Sequence, residues 1–167
     1  MSSTLYCYLD ASALAKRYAP ETGTAAINHL FTRLTPDRLV VFNVGVAEVV
    51  SILVRKRNAK RLSPAACSQA TIDFGVEIVN QASLRKVAAD TSLVTASLPL
   101  INKHAINATD SILLRSALDL AAYWRASSHD LVLVASDQRL LRAAQAEGLV
   151  VFNPETQTEA DLDSLLR

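Results

Sequence analysis

Four carboxylates stand where an acid is costly unless something stabilises it. Asp10 closes the apolar run Leu5-Tyr6-Cys7-Tyr8-Leu9, and Glu48 lies inside the run from Val44 to Val54. Asp110 opens the helical run Ser111-Ile112-Leu113-Leu114, and Asp137 follows Leu131-Val132-Leu133-Val134-Ala135-Ser136. A carboxylate among aliphatic side chains needs a hydrogen-bonding partner or a cation. One such acid reads as a helix cap; four suggest an acidic cluster that holds a hard divalent cation. Clustered carboxylates raise one another's pKa unless a cation compensates. His29, His104 and His129 are scattered, and Cys7 and Cys67 show no zinc spacing. The donor set therefore suits Mg²⁺ or Mn²⁺. Each acid also has a plainer reading. Asp10 and Asp137 can cap helices, Asp110 can complement a helix dipole, and Glu48 can sit on a solvated rim.

The acids meet only if the chain folds to bring them together. Short apolar runs alternate with longer helical patterns. Strands are predicted at 5–9, 39–42, 85–88, 131–135 and 149–152, and helices at about 11–18, 22–34, 43–58, 63–80, 91–104, 108–126, 137–147 and 158–166. Ser63-Pro64 and Asp90-Thr91 read as helix starts, Ser136 as the cap of the helix at 137, and Gly148 as its end. Pro99 predicts a kink or break in 91–104. This alternation implies an α/β fold with a mostly parallel sheet covered on both faces. In such sheets sites form beyond the carboxyl ends of the strands. Asp10 and Asp137 each follow a strand and precede a helix, so they belong to one edge. Asp110 and Glu48 join them if their helices start at that edge.

Composition bounds the function. The chain has 167 residues, half of them hydrophobic and 20% charged, enough for one folded domain and a sizeable core. A net charge of +1 excludes a global basic field, so a nucleic-acid partner must use a local patch. Arg55, Lys56, Arg57, Lys60 and Arg61 form a dense basic run, and Lys16 and Arg17 follow Asp10 closely. These residues track phosphates or simply solvate helix ends. Tyr18, Tyr123 and Trp124 stack on bases or pack in the core. The two cysteines are expected as buried free thiols. No secretory pattern opens the chain, and the apolar runs stop short of about 18 residues, which argues against a membrane span. A cytoplasmic protein is expected.

The ordered motifs resemble those of a PIN domain, and more narrowly a VapC-type toxin of bacterial toxin–antitoxin systems. Leu9-Asp10-Ala11-Ser12-Ala13-Leu14-Ala15-Lys16-Arg17-Tyr18 is similar to the family's opening strand and acid, and Asn43 with Glu48 to its second element. Ile106-Asn107-Ala108-Thr109-Asp110-Ser111 resembles the third acid's helix start, and the stretch from Ala135 to Ala144 the fourth. Asn107 stands where the family commonly has a basic residue, and Asn43 where it has Ser or Thr. The resemblance implies a three-layer α/β/α sandwich on a five-stranded parallel sheet, with a nuclease domain over 1–153 and a tail or docking helix over 154–167. It implies Mg²⁺- or Mn²⁺-dependent RNA cleavage, with Asp10, Asp110 and Asp137 holding the metal and Glu48 orienting the attacking water. Ser12 and Ser136 would support the carboxylates, and Lys16, Arg17, Arg55, Lys56 and Arg57 would bind RNA. A cognate antitoxin and a homodimer are further implications; the helices at 22–34 and 63–80 could supply those surfaces. Two other readings stand beside it. A haloacid-dehalogenase-like phosphatase expects Asp-x-Asp after the first strand, whereas Asp10-Ala11-Ser12 lacks the second acid. A non-catalytic interaction module on the same fold would have no need of all four acids.

Overall fold

The computed structural model describes residues 4–167. In chain order the elements are β1 (Leu5–Leu9), α1 (Ala11–Leu14), α2 (Thr24–Arg33), β2 (Leu39–Phe42), α3 (Asn43–Asn58), α4 (Pro64–Phe74), β3 (Arg85–Val87), α5 (Thr91–His104), α6 (Ala108–Arg125), β4 (Asp130–Val134), α7 (Gln138–Ala146), β5 (Val150–Phe152) and α8 (Glu159–Leu165). The five strands form one parallel sheet in the order β3-β2-β1-β4-β5. Strand side chains alternate between the two faces. Cys7, Leu9, Val41, Val132 and Val134 point into a core with α1, α2, α3, α4 and α8. Tyr8, Val40, Phe42, Leu131 and Leu133 point into a second core with α5, α6 and α7. This is the α/β/α sandwich expected from the sequence.

Local chemistry sets the helix ends. Ser63 accepts from the Ala66 amide at 3.1 Å with Pro64 at the first helical position, and Asp90 accepts from the Leu93 amide at 2.8 Å. Gly148, at φ +82°, supplies the left-handed step after α7. Two expectations are corrected. The cap of α7 is Asp137 rather than Ser136, because the Asp137 carboxylate accepts from the Arg139 and Leu140 amides at 2.8 and 3.1 Å. Pro99 does not break α5, which runs unbroken from Thr91 to His104. Pro99 and Thr95, whose carbonyl loses its helical donor, are both solvent-exposed, so water can satisfy that carbonyl.

The helix predicted at 63–80 ends regular geometry at Phe74 and finishes in a wide five-residue turn, Gly75–Val79, closed by the Asn80 amide on the Gly75 carbonyl at 2.9 Å. Of the two expectations for residues 154–167, the docking helix is what forms. A reciprocal Thr158–Asp161 capping box starts α8. Leu162 is wholly buried in the first core, and Asp163 meets His29 and Arg33 on α2 at 3.0 Å each. No helix among the described residues is long and apolar enough to cross a membrane.

Replacing Leu162 by alanine should cost about 2–5 kcal/mol, as for other buried leucines. Urea denaturation of the variant checks this, and an unchanged midpoint would mean that α8 contributes nothing to the core.

Candidate active site

Register brings the acids together. Leu9 pairs with Val41 on one side and Val134 on the other, so β1, β2 and β4 end at the same edge. The Asp10 amide continues the ladder to the Val134 carbonyl at 2.9 Å. Asp10 leaves β1 there as the N-cap of α1, and Asp137 leaves β4 as the N-cap of α7. Asp110 lies in the first turn of α6, and Glu48 sits in the second turn of α3, which follows β2 directly. Asp10, Glu48, Asp110 and Asp137 line one cavity of about 250 Å³ together with Ser12, Ser51 and Arg55. All four acids are thus brought to one place from four separate segments.

Asp10 is 6% exposed and the most enclosed of the four. Its Oδ2 accepts from the Ser12 amide at 3.0 Å and from the Ser12 hydroxyl. The same Ser12 oxygen accepts from the Ser136 amide at 3.0 Å, linking the β1 and β4 loops behind the acids. Ser12 thus bonds the Asp10 carboxylate directly. Ser136 touches no carboxylate: its amide donates to Ser12, and its buried hydroxyl has no hydrogen-bond partner among the described residues. Asn107 caps α6 by accepting from the Asp110 amide at 2.8 Å. Asn43 does not cap α3; its Oδ1 accepts from the Ala89 amide at 3.3 Å, bracing the start of α3 against the β3–α5 loop.

The electrostatics are those of like charges forced together. Burial raises the Asp10 carboxyl above its usual range, Ser12 pulls it back, and Asp137 pushes it up again. Glu48 is also raised, first by burial and then by Asp10, with Arg55 opposing. Asp110 shows the effect most clearly. Burial and then the charges of Asp10, Asp137 and Glu48 push it from 3.8 up to about 7. Among the described residues no three His, Cys, Asp or Glu side chains are close enough to enclose a metal ion as they stand. Repulsion between uncompensated carboxylates opposes that approach. The donor set itself, four carboxylates with no sulfur or imidazole in the cavity, fits a hard divalent cation.

The basic residues divide sharply. Arg55 lines the acidic cavity. It is one of the residues expected from the sequence to bind RNA, seven positions along α3 from Glu48. Glu48, Ser51, Ile52 and Arg55 follow a 3-4-7 spacing and share one helix face. Lys16, expected on RNA, is 2% exposed and pairs with Glu21 and Glu155 at 3.1 and 2.6 Å. Arg17 is spent on Glu77 at 2.6 and 2.7 Å and stacks over Phe31, in a different cavity. Lys56 pairs with Glu21, and Arg57 is exposed beside Asn58. Tyr18 and Trp124 are core residues, the latter stacked on Tyr6, while Tyr123 is exposed. None of the three histidines reaches the cavity: His29 meets Asp163, His104 meets Glu147, and His129 accepts from the Thr4 amide.

No protein-family model matches the chain, and no curated protein matches it by sequence. Solved structures do match. PAE2754 from Pyrobaculum aerophilum aligns over 97% of this chain and 89% of its own, at 17% identity and a TM-score of 0.61. VapC20 of Mycobacterium tuberculosis, a Sarcin-Ricin loop cleaving toxin, aligns over 91% and 99%, at 16% identity and 0.61. A toxin–antitoxin complex from Klebsiella pneumoniae aligns over 89% and 97%, at 11% identity and 0.54. At such identities the likeness shows the fold: this chain has the PIN-like architecture that its motifs resemble, shared with a VapC toxin.

A carboxyl raised to about 7 lowers stability as pH climbs, because the folded protein resists an ionisation that the unfolded chain undergoes near pH 4. Asp110→Asn removes that burden. With divalent cations chelated, the variant should exceed the parent by about 1 kcal/mol at pH 8, after allowance for solvent screening, and match it near pH 4. Thermal melts at the two pH values check this, and an equal difference at both would deny the raised pKa.

Proposed function

We propose that this chain is a Mg²⁺- or Mn²⁺-dependent endoribonuclease, the toxin of a toxin–antitoxin pair. One observation carries the reading. Four carboxylates from four segments share one cavity at the carboxyl edge of a parallel sheet, and one of them is pushed up to about 7. A fold can tolerate that much repulsion at a site where a cation relieves it. The likeness to VapC20, itself described as cleaving the Sarcin-Ricin loop, favours RNA as the substrate.

Asp10, Asp110 and Asp137 would hold the cation and Glu48 would complete the acidic cup. When bound, the cation would supply Lewis-acid activation of water and neutralise charge on the phosphate. The protein supplies the positioning. Ser12 fixes the Asp10 carboxylate, and two backbone amides of α7 fix that of Asp137. Glu48 would orient the attacking water and take its proton. As the bond from phosphorus to the 3′ oxygen breaks, that oxygen would take a proton from solvent, so the products would carry a 5′-phosphate and a 3′-hydroxyl.

An antitoxin partner follows from the same reading, supported by the likeness to a toxin–antitoxin complex. Ile72, Val76 and Val79 are exposed along one side of α4 and its wide turn, an apolar stripe suited to the antitoxin or to a second copy in a homodimer. The cytoplasm is the compartment where such a pair acts.

Purified protein should cut total cellular RNA with Mg²⁺ or Mn²⁺ and not with EDTA. Asp10→Asn should lower the rate by about 100-fold or more. Mapping of the cut ends decides the chemistry: 5′-phosphates support hydrolysis, whereas 2′,3′-cyclic phosphates would mean attack by the RNA's own hydroxyl and would sink this mechanism.

A further inference from the structure

The acidic cavity does not end at the carboxylates. Ile52 and Arg55 line it, and the same two residues line a second hollow of about 320 Å³ with Lys56, Ala59 and Arg61. The two recesses therefore adjoin each other across Ile52 and Arg55 of α3. The end of that helix builds the second one. The Lys60 amide donates to the Arg57 carbonyl and the Arg61 amide to the Lys56 carbonyl, both at 2.9 Å, with Lys60 left-handed at φ +58°. This is a Schellman turn, and it folds Arg61 back against the last turn of the helix. Glycine normally occupies the left-handed position. Here a lysine does, exposed at the end of α3.

The cations along this path are not equivalent. Lys56 is tied to Glu21, and Arg57 lies outside both recesses beside Asn58. Arg55 and Arg61 are exposed and make no ion pair among the described residues. An acidic cavity repels a polyanion, and the two free guanidiniums on one side of it give the strand a direction. The rest of the hollow's lining is Ile52, Ala59 and the Lys56 tied to Glu21, and a base can lie against Ile52 and Ala59 while guanidiniums hold its flanking phosphates.

We propose that single-stranded RNA leaves the acidic cavity along α3, with consecutive phosphates held by Arg55 and Arg61 and the intervening base against Ile52 and Ala59. The proposal rests on reading the cavity as the nuclease site and adds the path and the strandedness of the substrate. A paired base in a duplex is stacked on its neighbours and cannot turn into so small a hollow.

Binding can be measured apart from cleavage. Fluorescence anisotropy with a labelled, mixed-sequence RNA of about 12 nucleotides, in the Asp10→Asn background, reads the path directly. Arg55→Ala and Arg61→Ala should each weaken binding roughly 3- to 10-fold, and each should reduce the slope of log affinity against log salt by about 0.7, one phosphate's worth on a single strand. Arg55→Lys should recover the slope. Arg57→Ala, on the same helix but outside the path, should change neither quantity. The same RNA as a duplex should bind less well. Equal losses at Arg57 and Arg61 overturn the path in favour of a diffuse basic surface, and duplex binding as tight as single-strand binding overturns the strandedness. If a polyglutamate peptide binds through Arg55 and Arg61 while RNA affinity ignores them, the hollow belongs to an acidic protein segment. Cleavage assays of the parent protein separate the two readings. Arg55- and Arg61-dependent binding without metal-dependent cleavage leaves the path and removes the nuclease; cleavage that ignores both arginines does the reverse.

Discussion

Repulsion among Asp10, Glu48, Asp110 and Asp137 is the constraint that the rest of the architecture answers. Burial and neighbouring charge raise the Asp10, Glu48 and Asp110 carboxyls, and all four acids are held at the cavity by covalent attachment to elements anchored in a core. Asp10 and Asp137 cannot drift apart because β1 and β4 are neighbours in the sheet and Ser12 bridges their loops. Asp110 is held by a helix whose inner face is packed through Leu113, Leu114 and Ala117, and Glu48 by one anchored through Val49 and Leu53. Two hydrophobic cores, one on each face of the sheet, thus oppose a local electrostatic cost that neither shares.

Much of this was legible in the chain before folding. Strand positions, helix α3 to the residue, and all four acids follow from apolar runs and from what it costs to place a carboxylate beside them. The convergence of the acids is legible because parallel strands must end at a common edge. What the sequence hid was mostly local competition. Ser136 and Asp137 both suit a cap, and Asp137 won because its side chain takes two amides. Pro99 looked like a break, yet on an exposed helix face the missing bond costs too little to end the helix. Arg55 was named from its basic run, but its place on the cavity wall beside Glu48 came only with the fold.

The basic residues show why counting charges misleads. Lys16 and Arg17 follow Asp10 by only six and seven residues, but the turn after α1 carries Lys16 into a pair with Glu155 and Arg17 onto Glu77. The wide turn at Gly75–Val79 matters to the second pairing, because it shifts the helical phase so that Glu77 meets Arg17 and Tyr18 while Ile78 enters the core. These cations hold the fold together. A patch drawn from the sequence alone mixes them with arginines that remain free.

The central place of β1 has a consequence for how the molecule comes into being. β1 precedes its sheet partners in the chain and needs them on both sides, and its partner β4 lies more than a hundred residues later. Contacts so distant in sequence form late, since loop closure precedes the gain from pairing. Asp10 therefore waits, without its full complement of neighbours, until the segment through Asp137 has been translated and docked. A half-made chain carries Asp10 and Glu48 but neither Asp110 nor Asp137. Synthesis of the acids and assembly of the cavity that gathers them are separated in time by the topology itself.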